Sequence, residues 1–309
     1  MSEAIVSVER VSKRYGSLRA VDGVSFAIEP GLTVGVVGES GCGKSTTARL
    51  IMGLDRPSGG ALRFHGRPYG SSARALRPVR RAVGMIFQDP YESLDPRFRV
   101  RELVAEPLRA HGRWRSGGEQ RVRELLVAVG LGGLDLRASP GALSGGQRQR
   151  LGIARALALD PEAVIADEPT SALDVSVQAQ ILNLLLELQR ERGIGVLMIS
   201  HDLHVVRRVS DTIVVLYAGA VMEQGPAGAV TARARHPYTR SLLDAIPGTS
   251  PGARRLADRP RSASGIASAA TTGCPFSTRC PRTEERCRRE RPVLEDVQHA
   301  VACHYPLAS

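Results

Sequence analysis

Aromatic side chains are scarce, at 4% of 309 residues with a single tryptophan, so aliphatic side chains must fill most of any core. No apolar run approaches the roughly 18 residues that a membrane-spanning helix needs, and none is expected. The opening stretch MSEAIVSVER has no apolar core of the kind found in a secretion signal, so the chain is expected to stay in the cytosol. No block of five or more like charges occurs. Cysteine is nearly missing from most of the chain: Cys42 stands alone, and the other four lie in the last 36 residues. In a cytosolic protein that clustering argues for metal or redox chemistry over disulfides.

What is present is enough to build a sizeable core, since 42% of residues are hydrophobic. The length allows one large or two modest domains. The net charge of +11 is carried mainly by arginine. Such a balance suits a nucleic acid or an anionic membrane surface. Scattered as these residues are, it is equally the mark of an arginine-rich composition.

The strongest signal is Gly38–Thr46, GESGCGKST, which matches the phosphate-binding pattern G-x-x-x-x-G-K-[ST]. Residues 32–37 before it are apolar and β-branched, as in a buried strand, and residues 46–52 after it read as a helix. Gly38, Gly41 and Gly43 let the backbone turn tightly and aim N–H groups at phosphate oxygens. Glu39, Ser40 and Cys42 fill the variable positions. The helix adds the positive end of its dipole. Lys44 would reach the β- and γ-phosphates, and the Ser45 hydroxyl would hold Mg²⁺. Cys42, beside Lys44 at a helix start, is expected to have a lowered thiol pKa and ready reactivity that ATP would block. The alternative is a small residue tolerated at a free position.

Ala4–Val11 alternates as a strand does, and Val24–Ile28 follows as another. Tyr15 near them would stack on a purine or pack on a sheet edge. Val83–Phe87 reads as a strand ending at Gln88, before the loop 89–96 with its two prolines. That Gln would ligate Mg²⁺ and touch an attacking water, or simply cap the strand. Residues 100–111 and 119–129 have helical periodicity, so an inserted helical subdomain is expected at about 92–160.

In Leu143–Gln147, LSGGQ, Ser144 and Gln147 form a capping box, and Gly145 and Gly146 leave the helix start open to an anion. It would receive a γ-phosphate from another subunit, or merely cap a helix. Ala163–Glu168 is an apolar strand ending in two acids. Asp167 would orient Mg²⁺ through water, and Glu168 would polarise the attacking water. Two adjacent acids at a buried strand end are costly unless a metal or catalysis uses them. Asp174 closes a turn before a helix. His201 ends a further buried strand, where it would bond the γ-phosphate or serve the structure alone.

Tyr15, GESGCGKS, Gln88, LSGGQ, ADE, SALD and His201 stand in the order found in ATP-binding cassette ATPases, and the chain resembles that family from about residue 5 to 225. The resemblance implies an α/β fold: a P-loop NTPase core with an N-terminal antiparallel β subdomain and the inserted helices, over residues 1–230. It implies that two such domains dimerise head to tail, each ATP lying between Lys44 with its loop and Ser144–Gln147 of the other. It also implies that Tyr15 stacks adenine, that Asp174 communicates between sites, and that Gln88 begins the contact to membrane subunits.

Residues 87–97, 166–180 and 236–247 further resemble importers of dipeptides and oligopeptides, a pattern that nickel importers share. That likeness implies a second, non-identical ATPase, two membrane permeases and an extracytoplasmic solute-binding protein. The protein would then sit peripherally on the cytoplasmic face of the membrane, with no nucleic acid partner.

Residues 231–309 form a C-terminal extension, with a linker at 251–272 rich in Ser, Ala, Arg and Gly. Cys274, Cys280, Cys287 and Cys303 then follow at C-x₅-C-x₆-C-x₁₅-C, wider than the C-x₂-C pairs of common zinc sites. Four cysteines suit an iron–sulfur cluster such as [4Fe–4S], and Arg279, Arg282, Arg286 and Arg288 would favour thiolates. Related peptide importers resemble this tail, and some carry such a cluster. Zinc and four free thiols are the alternatives.

Overall fold

The computed structural model describes residues 3–171, 173–245, 272–294 and 298–308. The linker expected at 251–272 lies outside the described residues except for Thr272. In chain order, the first elements are β1 (Val6–Tyr15), β2 (Leu18–Ile28), β3 (Thr33–Val37), α1 (Lys44–Ile51), β4 (Gly59–Phe64) and β5 (Arg67–Pro68). They are followed by α2 (Arg77–Ala82), β6 (Val83–Ile86), α3 (Pro90–Ser93), α4 (Val100–Ala110), α5 (Gly118–Ala128) and α6 (Gly145–Ala156). Next come β7 (Ala163–Asp167), α7 (Val175–Arg192), β8 (Gly195–Ser200), α8 (Leu203–Val209), β9 (Thr212–Tyr217) and β10 (Ala220–Pro226). The last are α9 (Ala227–Ala232), α10 (Pro237–Asp244), α11 (Glu285–Arg289) and the two-residue β11 (Ala300–Val301). The architecture is the α/β arrangement expected for a P-loop ATPase, with antiparallel and parallel sheet both present.

The chain divides into two compact units, and β8 carries the backbone from one to the other. The first is built on Tyr69–Leu197, with Ile28–Leu32 and the residues before Val6. Here β6 and β7 pair in parallel, Val83 opposite Ala163 and Ile86 opposite Ala166. All five residues of β7 are buried. The helices pack through aliphatic faces: Leu103, Val104 and Leu108 of α4, Val122 and Leu125 of α5, and Leu151 and Ile153 of α6 are almost fully buried. This helix-on-helix packing follows from their apolar spacing.

The second unit holds Val6–Ala27, Thr33–Pro68 and the described residues from Met198 on. One antiparallel sheet has the order β2-β1-β4-β5, with Val6 of β1 opposite Phe64 of β4. In the other sheet β3 pairs in parallel with β9, and β10 and β11 follow antiparallel. The C-terminal extension supplies β11, where Val301 faces Glu223. It also supplies Tyr238 and Phe276, which pack on Tyr217 with ring centroids 4.8 and 5.2 Å apart. In a chain so poor in aromatics, three of them meet at this one place.

The segment after Gln88, expected to be irregular, contains the short helix α3. The Asp89 side chain caps it by accepting from the Tyr91 backbone N–H at 2.6 Å. Proline at the first helical position is compatible with that start.

Candidate functional site

In the second unit, the buried strand β3 runs straight into the glycine loop and α1. A Cβ on Gly38 would lie 2.1 Å from the Leu216 carbonyl oxygen and 2.6 Å from Cys42 Sγ. Gly43 has φ +106°, and a Cβ there would lie 2.2 Å from the Ala20 carbonyl oxygen. Only glycine can occupy either place. The Cys42 N–H donates to the Glu39 carbonyl at 3.2 Å, closing the turn. Lys44 is buried, and its Nζ donates to the carbonyls of Gly38 at 2.8 Å and Glu39 at 3.1 Å. The ammonium is thus held inside the curve of the loop. Ser40, Gly41 and Ser45 are exposed at its mouth, and Thr46 is half-buried.

Cys42 departs from expectation. It is 4% exposed, and burial pushes its thiol pKa up, with Lys44 offsetting this only in part. A dipole and a nearby cation lower a thiol pKa only when the thiolate keeps some solvation. Tyr15, at the end of β1, is 45% exposed. Its hydroxyl donates to Asp55 at 2.9 Å, and Lys13 Nζ lies 4.9 Å from its ring centroid. His201 follows β8 directly and is exposed.

The remaining candidates for the nucleotide site belong to the first unit. Asp167 closes β7 and is 6% exposed. Glu168 comes next with φ +45°, a strained backbone for a residue with a Cβ. Strain of this kind clusters at functional sites. Gln88, just past β6, donates its Nε2 to Glu168 Oε2 at 3.5 Å. The two side chains meet because the strands before them are paired neighbours.

The capping box is formed as read. The Ser144 N–H donates to Gln147 Oε1 at 2.9 Å, and the Gln147 N–H donates to Ser144 Oγ at 3.2 Å. These bonds anchor the first turn of α6. Ser144 is exposed, while Gly145 and Gly146 are half-buried. A Cβ on Gly146 would meet Val177 at 2.8 Å, so α7 packs close behind. Asp174 stands exposed before α7 and makes no capping bond with its side chain.

In the extension, Cys274, Cys280, Cys287 and Cys303 are all free thiols lining one cavity, together with Phe276 and Tyr305. The cavity has a volume of about 10 Å³, room for one water-sized atom. Burial pushes the Cys274 thiol up to about 11 and raises Cys280 and Cys303 as well. The Arg282 charge offsets that rise in part at Cys280 and Cys303. Arg286 pairs with Glu290 at 2.8 Å, and Arg279 with Glu39 of the phosphate loop at 2.7 Å. Among the described residues, no three His, Cys, Asp or Glu side chains are set to hold a metal ion. Tyr238, whose hydroxyl accepts from the Glu39 N–H at 3.0 Å, carried no signal of its role in the sequence. Arg279, expected to favour the thiolates, pairs with Glu39.

Residues 21–171 match the family model described as ABC transporter, and residues 222–287 match that of the oligopeptide/dipeptide transporter C-terminal region. The chain is 45% identical over 295 residues to a putative oligopeptide transport ATP-binding protein of Bacillus subtilis, covering 93% of this chain and 90% of that protein. It is 45% identical over 293 residues to the oligopeptide transport ATP-binding protein OppF of Salmonella typhimurium, covering 93% and 88%. Among solved structures, cbiO1 of Clostridium perfringens, part of an ABC transporter complex, is similar with a TM-score of 0.67. That match is 30% identical and covers 75% of this chain and 92% of that one.

Proposed function

The chain belongs to the ABC transporter family of ATP-binding subunits, and we propose that its ATP hydrolysis drives import of dipeptides and oligopeptides across the cell membrane. One observation carries this reading: a formed phosphate loop, a capped LSGGQ helix and a peptide-transporter C-terminal region lie on a single chain. In this reading residues 1–230 are the nucleotide-binding domain, with its helical subdomain at about 92–160, and 231–309 are the extension.

Each ATP is held between two ATPase chains. Tyr15 stacks on adenine with its exposed ring. The loop N–H groups from Gly38 to Thr46 and the Lys44 ammonium hold the β- and γ-phosphates. Ser144, Gly145, Gly146 and Gln147 of the opposing chain close on the γ-phosphate with a helix N-terminus. Glu168 takes a proton from the attacking water. The Gln88 amide, already within reach of that carboxylate, orients it. His201 donates to the γ-phosphate, and Asp174 contacts the opposite site.

Ser45, Gln88 and Asp167 supply oxygen ligands only, the donor set of a hard cation, with Asp167 acting through water. Those residues would hold Mg²⁺, which would supply charge neutralisation to the transferred phosphoryl group. The four extension thiols have the donor chemistry of a [4Fe–4S] cluster or of zinc. All four line one cavity, as a shared ligand requires. Anaerobic purification settles this: absorption near 400 nm supports the cluster, and a colourless protein with stoichiometric zinc overturns it.

No helix among the described residues is long and apolar enough to cross a membrane. By likeness to transporter ATP-binding subunits, this reading puts the protein at the cytoplasmic face as a peripheral subunit. Its partners are a second, non-identical ATPase, two permeases and an extracytoplasmic binding protein, without nucleic acid. The decisive experiment isolates this complex in lipid vesicles and identifies the ligand on its binding protein by mass spectrometry. Short peptides that stimulate ATP hydrolysis support the proposal. A complex that turns over ATP only with a non-peptide solute overturns it.

A further inference from the structure

Glu39 occupies a variable position of the phosphate loop, yet two groups from far along the chain hold it. Arg279 grips its carboxylate with both ends of the guanidinium, Nη1 to Oε2 at 2.7 Å and Nη2 to Oε1 at 2.9 Å. The Tyr238 hydroxyl accepts from its backbone N–H at 3.0 Å. The fork-on-fork geometry fixes orientation as well as distance. Arg279 is itself held in place. Its guanidinium lies 5.6 Å from the Tyr217 ring centroid and 5.8 Å from that of Phe276. The backbone N–H groups of Arg279 and Cys280 both donate to the Phe276 carbonyl, at 3.0 and 2.9 Å. The turn that bears Arg279 therefore runs between two of the cavity-lining cysteines.

A carboxylate in a loop that gathers phosphate oxygens works against its ligand. A like charge a few ångströms away repels even through a high effective dielectric. We propose that Arg279 is a positioning residue for ATP: it neutralises Glu39, turns that carboxylate aside and, with Tyr238, sets the loop in its phosphate-receiving form. The C-terminal extension is thereby part of the nucleotide site. The inference rests on the reading of this loop as an ATP site. The Arg279 and Glu39 side chains are 44% and 42% exposed, so the pair adds little to fold stability. Its effect belongs to the binding of an anion, and that separates this role from a merely structural one.

The test measures ATP affinity of the full chain by competition with a fluorescent ATP analogue, alongside thermal melting. Arg279→Ala is expected to raise the ATP Kd about fivefold while leaving the affinity for adenosine, which has no phosphates, unchanged. Glu39→Gln is expected to tighten ATP binding by about twofold, and Arg279→Ala in that background to cost less than about twofold. The Arg279 effect should shrink as salt is raised. Arg279→Gln keeps much of the stem, predicts the same pattern and replaces the alanine variant if that one does not fold. An unchanged ATP Kd in the arginine variants overturns the proposal. So does a full loss in the Glu39→Gln background, or an equal loss for adenosine. Wild-type protein that binds no ATP would instead refute the assignment of the loop itself.

Discussion

The Gln88 amide reaches the Glu168 carboxylate at 3.5 Å, although 80 residues separate them in sequence. Parallel pairing of β6 and β7 brings the ends of both strands side by side. In the proposed reading this carboxylate is the group that receives the proton of the attacking water.

From this geometry, Glu168→Gln should keep ATP binding and lose turnover. The amide fills the same space and cannot accept the water's proton. A fall in phosphate release of at least about 100-fold is expected. Size-exclusion chromatography with ATP should then show an accumulated closed dimer. Undiminished hydrolysis would remove Glu168 from the role of general base.

Cys42 should react slowly. A thiol 4% exposed, with its pKa raised by burial, holds little thiolate at neutral pH. Labelling by N-ethylmaleimide, followed by peptide mapping, is expected to be at least about tenfold slower than for free cysteine. Fast labelling that ATP abolishes would show that the loop opens in solution.

His236 should set part of the acid limit of stability. It is 1% exposed, and burial lowers its pKa to about 4. Its Nδ1 accepts from the Tyr238 N–H at 3.0 Å, capping α10, and must stay unprotonated to do so. The unfolded chain takes up a proton near the ordinary histidine pKa of about 6.5, and the folded chain does not. Stability from this group is therefore complete above that value and falls as pH drops from about 6.5 towards 4, by at most about 3 kcal/mol. His236→Asn keeps a capping acceptor and does not titrate in this range. Its melting temperature should fall less between pH 7.5 and pH 5 than that of the wild type. Identical slopes would refute the assignment.

Much of the fold and site was legible because its causes are local. Ser144 and Gln147 are three residues apart, so their capping box follows from chain geometry alone. The apolar run into Gly38 and the run into Asp167 and Glu168 announce buried strands whose ends must bear the working groups. The helix α3 is not legible in this way: the prolines at both ends of its segment read as breakers, and the Asp89 cap outweighs them.

Amino-acid order by itself determined the family motifs, their sequence along the chain and the local turns that present them, since each depends on neighbours within a few positions. Only the tertiary structure decided which charge Arg279 meets, 240 residues away, and that Cys42 is a buried neutral thiol rather than an activated one. The reason is physical: a side chain's partner and its solvation are set by what the fold packs around it, and short-range spacing carries no record of either.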